Sequence, residues 1–481
     1  MLVTSTKRGF LCAILLVAAV GCDDGEPETD AGMVDAGATD AGETPTDAGS
    51  GNTIADIAAS NPDFSMLLAA ATRADLGALL SNPAAELTVF APTNQAFADS
   101  GITMAMIDSM PVAQLTGILT YHAVMGRVTS SDIVAGPVTS AAMSSLILGT
   151  EGGVTINGGN TVVGGANVVM ADIIADNGVI HVIDRVLLPP TVADLARYAG
   201  LTELSDALAS TGLDATLAGA GPFTVFAPTN DAFPDTAPPG LEDILLYHVV
   251  SGQVASTAIP TSAPTLSTVT YTDAGASREV ALSLLFDTSS GVAVNGGSGT
   301  GATNLGGNVV VADVRATNGI VHVIDGVLVP LSIAEVALAG GFTSLVAAVT
   351  ASDPIPAALA GSDTPVIDAL SASTLAPLTV LAPTDAAFTA AFPGGLPTDG
   401  AAILGVLALH VVAAPLPVRA EDLPATPVAP LAGSDLTFDT AATPPTVTVG
   451  GGGTSAQIVL TDVGATNGIV HVIDQVLLEG T

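Results

Sequence analysis

The chain has 481 residues, enough for about three domains of ordinary size, each able to bury its own core. Hydrophobic residues make up 49% and the mean hydropathy is +0.61, but the apolar content is mostly Ala and Val interrupted by Gly, Pro and Asp. Beyond residue 22 no uncharged apolar run reaches the roughly 20 residues of a membrane-spanning helix, so globular domains are expected. The formal net charge is −37, Lys7 is the only lysine, and a surface of this sign excludes nucleic acid and heparin-like polymers as partners.

The N-terminus reads as an address. Lys7 and Arg8 precede the apolar "GFLCAILLVAAV", which is too short to span a bilayer and has the flanks of an export signal. "AVGC", Ala19 to Cys22, resembles a bacterial lipoprotein box, with Ala19 where such boxes usually carry leucine. The expectation is a signal peptide over 1–21 and a lipid on Cys22 that anchors the exported chain to the cell envelope, or a secreted chain if the box is not used. Cys12 leaves with the leader, so the mature domains hold no disulfide and are stable by packing alone. Asp23 retains some bacterial lipoproteins at the inner membrane, a rule that differs between groups and leaves the membrane open. Residues 22–52 repeat Asp-Ala-Gly at Asp30, Asp35, Asp40 and Asp47 and have almost no large apolar residues. They are expected to form a disordered acidic tether.

Three units follow, assigned to residues 53–189, 190–330 and 331–481. Each opens on a helical segment, at Thr53, Thr191 and Ser332. Each continues with "TVFAPTNQAF" at Thr88, "TVFAPTNDAF" at Thr224 or "TVLAPTDAAF" at Thr379. In the first of these, Thr88 to Phe90 is a predicted strand, Pro92 ends it and Thr93 is a helix N-cap. "YHAV", "YHVV" and "LHVV" come next, at Tyr121, Tyr247 and Leu409. Each unit closes on an octapeptide, "NGVIHVID" at Asn177 or "NGIVHVID" at Asn318 and Asn467. Asn-Gly reads as a tight turn, since both residues tolerate positive φ. "VIHVIDRVLLP" reads as a central strand, apolar on both faces, ended by Pro189. A repeat of about 140–150 residues is too long for a solenoid, so the units are separate α+β domains.

These boxes, with the Tyr-His between them, resemble the fasciclin domain (beta-Ig-H3 type), over about residues 53–479. The resemblance implies three tandem domains, each a wedge-shaped β-sandwich with several α-helices. It implies adhesion outside the cell, by binding other proteins or matrix.

All six histidines fall in the repeats: His122, His248 and His410, then His181, His322 and His471. A zinc site wants three or four clustered ligands, and no cysteine is at hand, so no metal is expected. His181 shares a strand face with Val179 and Ile183, and Asp184 lies on the other face. These histidines, with Tyr121, Tyr247 and the matching Asp184, Asp325 and Asp474, read as structural, bonded to neighbouring backbone. Leu409 replaces the tyrosine in the third unit and weakens any shared Tyr-His chemistry. No G-x-S-x-G, HExxH or CxxC occurs, and no catalytic residue or cofactor is expected.

The resemblance also implies candidate contacts upstream of the octapeptide, where Asp-Ile motifs of animal members meet integrins. The matching pairs are Asp172-Ile173, Asp313-Val314 and Asp462-Val463, and only the first keeps Asp-Ile. The expected function is a non-catalytic, surface-anchored adhesion protein binding a protein or polysaccharide of matrix or envelope. It reaches the membrane only through its N-terminal lipid, as monomeric beads on a tether. The alternative is a binder of small apolar ligands or metabolites in the cell envelope.

Overall fold

The computed structural model describes residues 52–480 apart from 235, 237, 274, 298–304, 352–376 and 415. The expected signal peptide, Cys22 and acidic tether lie outside the described residues. Each domain starts with the same device. Thr53, Thr191 and Ser332 cap helices Ile54–Ser60, Val192–Tyr198 and Ile333–Ala339, and Asp56, Asp194 and Glu335 bond back to complete a capping box.

In domain 1 the strands are β1 (Leu87–Pro92), β2 (Ala123–Met125), β3 (Gly136–Thr139), β4 (Ser145–Gly149), β5 (Thr155–Ile156), β6 (Ala166–Ala175) and β7 (Gly178–Ile183), in sheet order β2-β1-β7-β6-β5-β4-β3. Domain 2 has β8 (Phe223–Pro228), β9 (Val249–Ser251), β10 (Ser262–Asp273), β11 (Ala276–Asp287), β12 (Ala293–Val294), β13 (Gly307–Ala316) and β14 (Gly319–Ile324), and its sheet closes into a barrel. Domain 3 has β15 (Leu378–Pro383), β16 (Val411–Ala413), β17 (Leu436–Asp439), β18 (Thr446–Val449), β19 (Ser455–Ala465) and β20 (Gly468–Ile473). The α+β class is as the sequence implies.

The octapeptide strands β7, β14 and β20 are central and buried along their whole length. Each runs parallel to the first strand of its domain and antiparallel to the strand before it. One apolar layer lies between sheet and helices, around Phe64, Val89 and Val182 in domain 1. A second lies inside the folded sheet, around Phe90, Tyr121, Leu146 and Ile183. A strand buried on both sides must be apolar on both faces, which is why "VIHVI" does not alternate.

Two local expectations are corrected. The strand ends at Ile183, before Asp184, and does not run to Pro189. Asn177-Gly178 is not a positive-φ turn: the two-residue loop is Asp176-Asn177, and Gly178 already pairs with Ala175. Glycine is required there by crowding, because a Cβ on Gly178 would sit 2.1 Å from the Leu87 carbonyl oxygen, and the same holds at Gly319 and Gly468.

Successive domains join in one repeated manner. The Arg315 N–H, on β13, donates to Ser145 Oγ, on β4 of domain 1, at 2.9 Å. The Gly464 N–H, on β19, donates to Ser283 Oγ, on β11 of domain 2, at 2.9 Å. Ile147 packs against the domain 2 core beside Val314, and Leu285 lies within the domain 3 core beside Val463. The second joint has more holding it. The Arg278 guanidinium pairs with Asp422 at 2.9 Å, Arg419 donates to the Glu279 carbonyl, and Tyr271 OH donates to the Ala465 carbonyl at 3.2 Å.

Candidate functional site

The Asp-Ile and Asp-Val pairs sit at a β-bulge. The register of β6 against β7 shifts between Met170 and Ile173, and β13 and β19 shift at the matching places. The extra residue is the aspartate, with φ of 61° at Asp172, 60° at Asp313 and 58° at Asp462. Aspartate is among the few side chains that tolerate this left-handed geometry.

The bulge is what engages the octapeptide histidine. The Asp172 N–H donates to His181 Nδ1 at 3.3 Å, and Asp313 and Asp462 do the same to His322 and His471 at 3.2 Å. With Nδ1 accepting, Nε2 carries the proton, and it donates to the carbonyls of Val128, Val254 and Val418, each at 2.9 Å. Burial holds His322 and His471 below the usual imidazole range. A ring fixed as donor on one side and acceptor on the other is neutral and structural.

The carboxylates turn back onto the protein. Asp172 accepts from the Ser130 N–H at 2.7 Å and the Ser130 hydroxyl at 2.5 Å. Asp313 accepts from the Ser256 N–H at 2.9 Å and its hydroxyl at 2.5 Å. The Ser130 hydroxyl holds the Asp172 carboxyl below its ordinary range. Partial burial pulls Asp313 upward, and the two Ser256 bonds outweigh it, so it too is lowered. In domain 3 Ala420 stands where the serine would be and gives Asp462 only its N–H, at 2.8 Å.

The middle-box histidines are wired the other way round. Nδ1 of His122, His248 and His410 donates to the carbonyl one helical turn back, at Ile118, Ile244 and Val406, at 2.7–2.8 Å. Nε2 accepts from the N–H of Leu187, Leu328 and Leu477, at 2.9–3.0 Å, beyond the end of the octapeptide strand. Burial pushes all three down to about 4. Tyr121 and Tyr247 donate to the carbonyls of Ser145 and Ser283 and accept from Asn157 and Asn295. Burial raises both phenols. Leu409 has no hydroxyl for such a network.

Asp184, Asp325 and Asp474 tie the strand end to its neighbour, accepting from the N–H of Asn167, Asn308 and Gln457 at 2.8, 2.6 and 2.7 Å. Sequence reasoning missed the Asn of the octapeptide as a staple. Asn177 Oδ1 accepts from the Ile54 N–H at 2.8 Å, and Nδ2 donates to the carbonyls of Leu80 and Asn82 at 2.9 and 3.1 Å. Asn318 and Asn467 hold Val192 and Ile333 likewise. No local pattern marks a bond across more than a hundred residues.

Among the described residues, no group of three or more His, Cys, Asp or Glu is arranged to hold a metal. The strand before each bulge also presents one exposed valine: Val169 at 61%, Val310 at 47% and Val459 at 52%. Ile173 is half-buried, whereas Val314 and Val463 are buried in the joints.

Protein sll1483 of Synechocystis sp. is 42% identical over 140 residues, 29% of this chain and 74% of that protein. Human periostin is 31% identical over 191 residues, 38% of this chain and 22% of periostin. A solved domain pair from the insect cell adhesion molecule fasciclin I overlays with a TM-score of 0.32 at 20% identity, covering 57% of this chain and 98% of the pair. The fasciclin domain description matches residues 62–189, 199–330 and 340–479, and the chain therefore belongs to the fasciclin domain family, with three copies in tandem.

Proposed function

We propose that the chain is an exported, non-catalytic adhesion protein that binds a protein or polysaccharide of matrix or envelope through repeated contacts on its three domains. Family membership supports adhesion in general. The observation that carries the reading is the exposed valine repeated on β6, β13 and β19, on the same strand as the bulge. Three like contacts on one chain turn weak single affinities into firm attachment. The histidines and aspartates of the boxes are occupied as staples, so the binding chemistry is assigned to the surface around them. Asp172, Asp313 and Asp462 position the bulge, and Asp462, with one bond fewer, is the carboxylate best placed to meet a partner. In this reading Cys22 carries the lipid and residues 22–52 are the tether.

The small-ligand alternative gains little from the cavity described in domain 2. The cavity between helices and sheet in domain 2, lined by Ala196, Leu204, Leu208 and Leu245, holds about 10 Å3, room for about one water molecule. The test is adhesion of beads coated with the protein to the producing cells and to their extracted envelope polymers. The variant with Val169, Val310 and Val459 all changed to Glu is expected to lose most of it. Adhesion unaffected by the triple change moves the contact elsewhere, and no adhesion by the native chain overturns the proposal.

A further inference from the structure

The joint between domains is built from two complementary surfaces. The preceding domain offers a strand with Ser-Leu-aliphatic: Ser145-Leu146-Ile147 on β4 and Ser283-Leu284-Leu285 on β11. The following domain offers the second half of β13 or β19, whose outer edge presents the Arg315 or Gly464 N–H to the serine hydroxyl. There Val314 is 4% exposed and Val463 is 1% exposed.

Domain 1 carries the same receiving edge on β6. Ile174 pairs with Val179 as Arg315 pairs with Ile320 and Gly464 with Ile469. Its N–H therefore lies on the outer edge at the same register. Met170 is 57% exposed, where its counterparts Val311 and Leu460 are half-buried, and Ile174, also 57% exposed, stands where Arg315 and Gly464 meet the preceding domain. An edge with outward N–H groups and aliphatic side chains is a template for strand addition.

We propose that this edge of domain 1 is a docking socket for an exposed Ser-Leu-aliphatic strand of another fasciclin-type protein. Continuity with the two internal joints sets the chemistry of the occupant: a hydroxyl acceptor for the Ile174 N–H and an aliphatic residue two positions on. A second copy of this chain is a poor supplier. Its Ser145 and Ser283 are already engaged, and the matching segment of domain 3, at the start of β17, presents Asp435-Leu436-Thr437. That places a charge where the hydroxyl belongs and an exposed threonine where the aliphatic belongs. The socket is separate from the valine row, so changes at Ile174 and changes at the three valines test the two proposals apart.

The probe is the full chain with β17 rewritten as Ser-Leu-Ile by Asp435→Ser and Thr437→Ile, and with its own socket blocked by Ile174→Asp. Immobilised, it is expected to bind the native chain at least tenfold more tightly than it binds an Ile174→Asp chain. Met170→Glu serves as a second blocked version should Ile174→Asp lower the thermal midpoint. An immobilised chain that keeps Asp435 and Thr437 is expected to bind at least tenfold more weakly than the rewritten one. Equal binding to native and blocked chains, or none to either, overturns the socket. Native self-association that Ile174→Asp abolishes, with no dependence on β17, overturns the assigned partner in favour of two β6 edges pairing with each other.

Discussion

Replacing Asn177 by alanine tests the idea that the octapeptide is a structural closure. The side chain is fully buried and makes three hydrogen bonds, to the Ile54 N–H and the carbonyls of Leu80 and Asn82. Alanine leaves one buried donor and two carbonyls without these partners. An unpaired buried donor costs about 1–3 kcal/mol and a carbonyl with a second lone pair less, so the total is about 3 kcal/mol. A domain is held by about 5–15 kcal/mol, and in urea this loss moves the midpoint of the domain 1 transition down by roughly 1–2 M. Asn177→Asp keeps the acceptor for Ile54 but aims a carboxylate at two carbonyl oxygens, so it is expected to be worse than alanine at neutral pH and to recover on acidification. The assay is urea unfolding followed by circular dichroism, with hydrogen exchange of the Ile54 amide as the local reporter. An alanine variant that unfolds within about 0.5 kcal/mol of the native chain, with Ile54 protection unchanged, would refute the staple.

Ala420→Ser should give Asp462 the hydroxyl bond its counterparts have and stabilise domain 3 by about 0.5–1.5 kcal/mol, read as a rise in its unfolding midpoint. Gly464→Ala places a Cβ 2.0 Å from the Ala281 carbonyl oxygen across the second joint. It should loosen domain 3 from domain 2, seen as a larger radius of gyration in solution scattering with domain 3 still folded. Acid should destabilise every domain through the middle-box histidines. His122, His248 and His410 are held at about 4 when folded and return to about 6.5 when unfolded, so the unfolded chain takes up the proton first. Stability is full above pH 6.5 and falls as pH drops toward 4, by about 3 kcal/mol per domain. A thermal midpoint that stays flat from pH 7 to pH 5 would contradict this.

Much of the fold was legible because its signals are local or repeated. The all-apolar strand after Asn-Gly forecast a central position, and Thr93 caps helix Asn94–Asp99 as its place after Pro92 implied. Thr384 does the same, but Thr229 makes no side-chain cap, since a short 3-10 turn follows it and Phe233 is already extended. The bulge was not legible: Asp172 is locked by Ser130, 42 positions away, and only the folded register brings them together. Asn-Gly misled because its local preference for a tight turn is real, while the structure uses the asparagine for its amide and the glycine for its missing Cβ. The joints were hidden for the same reason, since Ser145 and Ser283 look like ordinary strand residues until the next domain covers them.

The central pairing of each domain has a kinetic consequence. Leu87 lies beside Gly178, Phe223 beside Gly319 and Leu378 beside Gly468, so the middle of every sheet joins the first strand to the last. Contacts this far apart in sequence close large loops and slow folding. During synthesis or export no domain can seal until its own octapeptide has emerged, and until then the partner face of its first strand stays open. The array therefore matures in three discrete steps, in chain order, and a chain arrested just short of an octapeptide leaves one unsealed domain exposed to aggregation and proteolysis.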